Sequence, residues 1–467
     1  MLAFASSSAT GGTGDQSAGV GAASAGQFLM LSDLHFDPMA ELSRVDQLTA
    51  AEPEEWPAIL ESSGETSLGR YWADTNWMLL RSALHQAAET LPHPSFVLFT
   101  GDFLAHNFRR AFDAAATEHS DAAYRVFVRR TMLFLAQQLE RAFPNTPILP
   151  TLGNNDDVCG DYLLQPGGPF LADTLPIVQR LVGSNRGLRF DQDWTSYGNY
   201  GVTIQGIRVL SVNTVFFSPR HRNACGSPGD ADPASTTLAW LQGELTAARQ
   251  AHTHIWMIYH LPPGIDGFAT LQRGACPDGI IPMCKETYAE PVFALLRRYD
   301  DTVAASLAGH THMDDFRLIG DAGGFYAFTL ITPALSPIFG QNPAFRTVMY
   351  DSAGGILDHT TYTLTNLPEA TAGGGAPAIW QAEYTFTQEW HLPRVDLPSL
   401  THLYATTGEV PQDRDRWHML FPASTPAYWS RFSASGDGGV RAVRAFRCAT
   451  GNVLPSEYRQ CYCGDHG

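Results

Sequence analysis

The hydrophobic pattern begins at Gln27, where four apolar residues, Phe28-Leu29-Met30-Leu31, are followed at once by Ser32-Asp33-Leu34-His35. A short unbroken apolar run bounded by polar residues predicts a strand buried on both faces that ends in a polar loop. The same grammar recurs along the chain. Phe96–Phe99 leads into Thr100-Gly101-Asp102, and Pro147–Pro150 leads into Gly153-Asn154-Asn155-Asp156. Ile255–Tyr259 leads into His260, and Val303–Ala308 leads into Gly309-His310-Thr311-His312. Between these runs, residues 71–91 and 121–142 carry apolar positions three and four apart, which predicts helices. Alternating strands and helices indicate an α/β domain with parallel pairing. The segments 199–215 and 325–365 read instead as antiparallel pairs, so mixed sheets are expected. A Gly-rich stretch around Gly373-Gly374-Gly375 marks a boundary. The chain then divides into a leader over 1–26, a main α/β domain over 27–367, and a mostly helical, cysteine-containing subdomain over 368–467.

Composition narrows the picture. A length of 467 residues, 44% of them hydrophobic, suits one large domain with an appendage. The formal charge of −17 argues against general nucleic-acid binding, which needs a basic face. It leaves room for an anionic substrate if bound cations supply the local positive field. No run of about 18 apolar residues is present, so no transmembrane helix is expected. The Ser/Gly/Ala-rich leader lacks the basic and apolar regions of a signal peptide. Seven cysteines form no repeated CxxC framework, which argues against a structural zinc site. Cys276 and Cys284 are spaced to close a short loop, and Cys448 to pair with Cys461 or Cys463. Such bridges would place the protein in an oxidising compartment, secreted or periplasmic.

The chemistry sits where the strands end. Open α/β sheets bind ligands beyond the carboxyl ends of their strands, and these strand ends deliver Asp33, His35, Asp102, Asn154, His260, His310 and His312. Imidazole nitrogen and carboxylate oxygen are ligands for zinc, iron and manganese. In Asp33-Leu34-His35 and His310-Thr311-His312, alternate residues of an extended segment share a side and can grip one ion. Any one of these motifs is weak alone. All five, each after an apolar strand, point to a metal centre.

Together Asp33-Leu34-His35, Gly101-Asp102, Gly153-Asn154-Asn155-Asp156, His260 and Gly309-His310-Thr311-His312 resemble the calcineurin-like metallophosphoesterase superfamily. The runs 33–38, 100–106, 309–316 and Asn342–Arg346 are similar to its acid sphingomyelinase-like phosphodiesterases, in their shorter form without a preceding saposin-like domain. The resemblance implies a four-layer α/β/β/α sandwich. It implies two divalent metal ions, with zinc the first choice and iron or manganese also compatible. Asp33, His35, Asp102 and His312 would hold one ion, and Asp102, Asn154, His260 and His310 the other. A hydroxide bridging the two would attack phosphorus. The substrate would be a small phosphate ester, a nucleotide or a phospholipid head group. One departure stands out. The family reads Gly-Asn-His-Glu or Gly-Asn-His-Asp, whereas Asn155 occupies the histidine position here, as in the related endopolyphosphatases. That opens two alternatives: a polyphosphate or pyrophosphate hydrolase, and a metal-containing binding protein without catalysis. With the usual histidine missing, His106 is the candidate to protonate the leaving group, and Asn155 retains only hydrogen bonding. Arg109, Arg110, Arg220 and Arg222 are expected to be solvated charges rather than phosphate ligands.

Overall fold

The computed structural model describes residues 24–62, 64–223, 232–273, 276, 278–371, 376–406 and 440–464. Its strands, in chain order, are β1 (Ser24–Leu31), β2 (Val97–Phe99), β3 (Ile148–Pro150), β4 (Tyr200–Ile204), β5 (Ile207–Ser211), β6 (Ile255–Ile258), β7 (Val303–Ala308), β8 (Asp315–Asp321), β9 (Gly324–Ile331), β10 (Ala344–Asp351), β11 (Ile356–Leu364) and β12 (Trp380–Thr385). They form two six-stranded sheets, ordered β12-β11-β10-β1-β2-β3 and β4-β5-β6-β7-β9-β8. In the first sheet β1, β2 and β3 run parallel, and β10 to β12 join antiparallel. In the second, β5, β6, β7 and β9 run parallel, with β4 and β8 antiparallel at the edges. Both sheets are therefore mixed, as the two segment patterns predicted.

The sheets pack face to face over a shared core. Phe28 and Phe96 of the first meet Trp256 of the second at ring separations of 5.0 and 5.9 Å. The Tyr200 hydroxyl donates to Pro150 O at 2.6 Å, tying β4 to the end of β3. Phe28 to Leu31 are all fully buried, which explains why their side chains are apolar without alternation.

Helices cover the outer faces. Trp77–Thr90 is capped by Asn76, whose side chain accepts from Leu79 N, and Asp121–Ala142 by Ser120, which accepts from Ala123 N. Both end two residues before a proline, Pro92 and Pro144, which cannot continue a helix. Phe134 of the long helix packs on Phe36, Trp56 and Trp77. On the second sheet, Glu286–Arg298 lies against Pro233–Gln250 and β9. The result is a layered α/β/β/α sandwich.

The ends of the chain differ from expectation in two ways. β1 already starts at Ser24, inside the stretch read as leader. Trp380–Thr385 is a strand, and it completes the first sheet on β11 rather than belonging to a purely helical appendage. Its side chains explain this: Trp380 packs on Phe345, and the Tyr384 hydroxyl reaches Asp314. Helices follow at Leu397–Thr406, Val440–Gly451 and Pro455–Cys463. Trp417 and Trp429 lie outside the described residues. Disulfides between described residues are Cys448–Cys461 and Cys276–Cys463. The second corrects the expected Cys276–Cys284 bridge: the tail helix Val440–Gly451 packs on Gly267–Arg273, Cys463 bonds Cys276, and Cys284 remains a free thiol. Cys159 is also disulfide-bonded. Among the described residues no helix is long and apolar enough to cross a membrane.

Candidate metal centre

Five strands from both sheets aim their carboxyl ends at one point. Asp33 and His35 follow β1, Asp102 follows β2, Asn154 follows β3, His260 follows β6, and His310 and His312 follow β7. The loops are held together by main-chain bonds that prolong the ladders: Asp33 N to Gly101 O and His35 N to Asp102 O, each at 3.0 Å. Asp33, His35, Asp102, His310 and His312 all have φ between 39° and 72°. Left-handed backbone at a residue with a side chain costs about 1–3 kcal/mol each and persists only where the surroundings impose it. Such clustering is characteristic of a functional site. Close loop approach adds a second constraint. A Cβ at Gly101 would lie 2.8 Å from both Gly153 N and His260 Nδ1, and one at Gly153 would run into the Asp102 carboxylate.

The side chains form two groups that meet at Asp102. In the first, His312 Nε2 is 3.2 Å and His35 Nε2 3.6 Å from Asp33 Oδ1. In the second, His260 Nε2 lies 3.2 Å from Asp102 Oδ2, 3.1 Å from Asn154 Oδ1 and 3.2 Å from His310 Nδ1. Asp102 Oδ2 is also 3.3 Å from His35 Nε2, so this one oxygen faces both groups. The far ring nitrogens are engaged. His35 Nδ1 donates to Leu104 O at 3.1 Å, and His260 Nδ1 to Thr100 O at 2.7 Å. That leaves each Nε2 lone pair for a cation.

These residues fit divalent ions on their own evidence. Asp33 Oδ1 is buried and has no hydrogen-bond donor, an arrangement that is costly unless a cation satisfies it. Electrostatics point the same way. Burial works to lower the His35 and His260 pKa values, yet the neighbouring carboxylates, Asp102 foremost, raise them to about 10 and about 9. Burial and the nearby His260 push His310 down to about 3. Burial would raise Asp33 and Asp102, but the surrounding imidazoles hold both well below the usual carboxylate range. The pocket thus balances negative charge with protons where ions would do so better.

Neighbouring side chains set the geometry. Asn155 donates to Asp102 twice, from N to Oδ1 at 2.8 Å and from Nδ2 to Oδ2 at 2.9 Å. Asp156 accepts from Gly153 N and Asp102 N at 2.8 and 3.0 Å through one oxygen, and from Phe103 N and Leu104 N at 2.8 and 3.2 Å through the other. It thereby ties the second and third loops together. His106 stacks on His35 with ring centroids 4.1 Å apart, and its Nδ1 lies 3.0 Å from Asp74 Oδ1. Burial would raise Asp74, but His106 and His35 hold it low. The Gln341 amide touches His312 Nδ1 at 3.1 Å. Asp156 lies in a motif quoted above without a role. Asp74 and Gln341 carry no sequence signal, because only the fold brings them in.

Beside the centre opens a cleft of about 460 Å³ whose wall includes Asp102, His106, Asn154, His310 and His312. The wall also takes in Asp161 and Arg220. Much of the rest comes from Phe268, Arg273 and Phe339, and from Phe446 in the tail. Arg220 is exposed, as expected of a solvated charge, and pairs with Asp161 on that wall, and Arg109 pairs with Asp113 and Asp121.

Two mixed sheets with a shared carboxylate among histidines at their strand ends define a metal-dependent phosphoesterase. Residues 26–314 match the calcineurin-like phosphoesterase family, and the chain belongs to it. Its relatives narrow the activity. It is 27% identical to sphingomyelinase phosphodiesterase D of Dictyostelium discoideum, over 72% of this chain and 74% of that one. It is 26% identical to the acid sphingomyelinase-like phosphodiesterase 3b of Mus musculus, over 96% and 92%. It is 25% identical to the cyclic GMP-AMP phosphodiesterase SMPDL3A of Homo sapiens, over 93% and 90%. The protein is a hydrolase of phosphoric esters, a phosphodiesterase.

Proposed function

We propose that the protein hydrolyses phosphodiesters with two divalent ions, one held by Asp33, His35, Asp102 and His312 and the other by Asp102, Asn154, His260 and His310. The observation that carries this reading is the single Asp102 oxygen facing His35 and His260 at 3.3 and 3.2 Å. When bound, such ions acidify a water to act near neutral pH and offset charge on the phosphoryl oxygens. Zinc suits the histidine-rich set, and iron or manganese fit it too.

The chain's own residues do the remaining work. Asn155 is committed to Asp102 and acts by fixing that carboxylate. His106, with Nδ1 held by Asp74, has Nε2 left to hand a proton to the departing oxygen. The substrate is a phosphodiester of a nucleotide or of a phospholipid head group, the classes named in the relatives above. The cleft offers Phe268, Phe339 and Phe446 for a planar or apolar portion and Arg220 and Arg273 for negative charge. The disulfides favour an oxidising location, secreted or periplasmic.

The test is a substrate panel on protein of measured metal content: bis-nitrophenyl phosphate, cyclic GMP-AMP, sphingomyelin, nucleoside triphosphates and polyphosphate. Hydrolysis of diesters, lost on chelation and restored by zinc, is expected. Cleavage of phosphoanhydrides alone would favour the polyphosphatase reading. No turnover by protein carrying two ions would favour a binding role.

A further inference from the structure

Asn154 is the one neutral oxygen donor in the proposed ligand set, and a carboxamide has two ends of nearly equal size. Turned by half a rotation, it would present N–H groups to the centre instead of an oxygen. The structure shows what makes the ends inequivalent. Asn154 Nδ2 donates to Asp161 Oδ1 at 2.7 Å, while its Oδ1 faces His260 Nε2 at 3.1 Å. Asp161 is itself anchored. Arg220 donates to its other oxygen at 3.0 Å, and the same guanidinium lies 4.2 Å above the Tyr162 ring. Tyr162 is buried, holds left-handed backbone, and returns its N–H to Asn154 O at 2.8 Å. Its hydroxyl lies 3.4 Å from His310 Nε2. The loop from 154 to 162 is thus closed on itself beside one half of the centre.

We propose that Asp161 is a positioning residue that fixes the Asn154 amide with Oδ1 turned to the Asp102–His260–His310 half-site, and that Arg220 and Tyr162 hold Asp161 in place. An ionised carboxylate only accepts hydrogen bonds. Reversing the amide would set two oxygens against each other and aim two donors at a cation. Partners behind metal ligands commonly change metal affinity by about 10–100-fold. The Asp161–Arg220 pair is 42% and 54% exposed, so it contributes little to folding. Its effect is felt at the ligand. The inference rests on the two-ion reading above.

The experiment titrates zinc calorimetrically into metal-stripped wild type, Asp161→Asn, Asp161→Ala and Arg220→Met, with metal content and metal-free melting measured alongside. Wild type is expected to take two ions per chain. Both Asp161 variants should keep one tight site and weaken the other about 10–100-fold, with metal-free melting unchanged. Arg220→Met should weaken the same step by a smaller factor. In an Asn154→Asp background there is no amide to orient, so Asp161→Asn should no longer weaken binding. Two wild-type affinities in the Asp161 variants would overturn the proposal, as would equal weakening of both sites with a lower metal-free melting point. Fewer than two ions on wild type would overturn the two-ion reading and this inference with it.

Discussion

At the scale of the residue, most of the candidate ligands sit in backbone that their side chains disfavour. Asp33, His35, Asp102, His310 and His312 hold left-handed φ because the loops carrying them are pinned to one another by main-chain bonds and by Asp156. This pre-set geometry is what lets several donors meet without rearrangement. The ligand types were legible in the sequence, because Asp-x-His and His-x-His after apolar runs are local signals. Asp74 was not, since it lies 32 residues before His106 with nothing local to mark it. The His106–Asp74 pair yields a prediction. His106→Ala should reduce turnover about 10²–10⁴-fold for alkyl leaving groups and much less for nitrophenol, which departs without a proton. Comparing the two ester types checks this, and an equal loss on both would remove His106 as the acid.

At the scale of the element, the parallel strands explain why the site exists where it does. β1, β2, β3, β6 and β7 stop together, and each loop that follows begins where the sheet can no longer satisfy it. The apolar runs revealed these strands, but not β12. Its pairing depends on a contact with no sequence signature, a buried cluster in which Arg346 of β10 meets Asp314, with Thr361 and Tyr384 donating to the same carboxylate. Asp314 lies two residues after His312, so the cluster anchors the last ligand loop to the first sheet. Arg346→Met should destabilise the protein by about 3–5 kcal/mol, because it leaves a buried carboxylate without its cation. Adding Asp314→Leu should recover most of that loss, since an apolar pair of similar volume is often neutral. Denaturant unfolding of both variants is the check, and a single variant as stable as wild type would contradict the reading.

At the scale of the whole molecule, several buried groups titrate in the same direction when no ion is present. His35 and His260 are raised from 6.5 to about 10 and about 9. The stability they contribute is fully present below their unfolded pKa and is lost as pH rises through the folded values. Burial raises Asp37 to about 6, and Asp156 and Asp157 to about 7, from 3.8. Between those limits the folded state holds protons that the unfolded chain releases, so stability again grows as pH falls. Asp33 and Asp102, held low, contribute stability that is lost only in stronger acid. Below about pH 6.5 the depressed His310, His312 and His359 oppose this trend, because only the unfolded chain protonates them there. Metal-stripped protein should therefore melt higher near about pH 6.5 than near about pH 9, and thermal unfolding across that range tests it. Zinc must displace protons from histidine, so the stabilisation it confers should grow with pH over the same interval. Equal melting of the stripped protein at both ends would contradict the assignment.

The sequence by itself determined an α/β domain with mixed sheets and the seven candidate ligands, because burial of a parallel strand and the polar break at its end are both written locally, while the layering was implied only by the family resemblance. Tertiary structure alone decided how those ligands meet: which Asp102 oxygen faces both groups, that Asn155 serves Asp102, and that Asp74, Asp161 and Gln341 stand behind them. It also decided that Cys276 reaches Cys463 and that the tail walls the cleft. Such pairings join residues far apart in the chain, and a contact of that kind depends on how two sheets pack, which no local pattern encodes. The opening strand pattern thus located the centre, and the packing of the sheets made it one site.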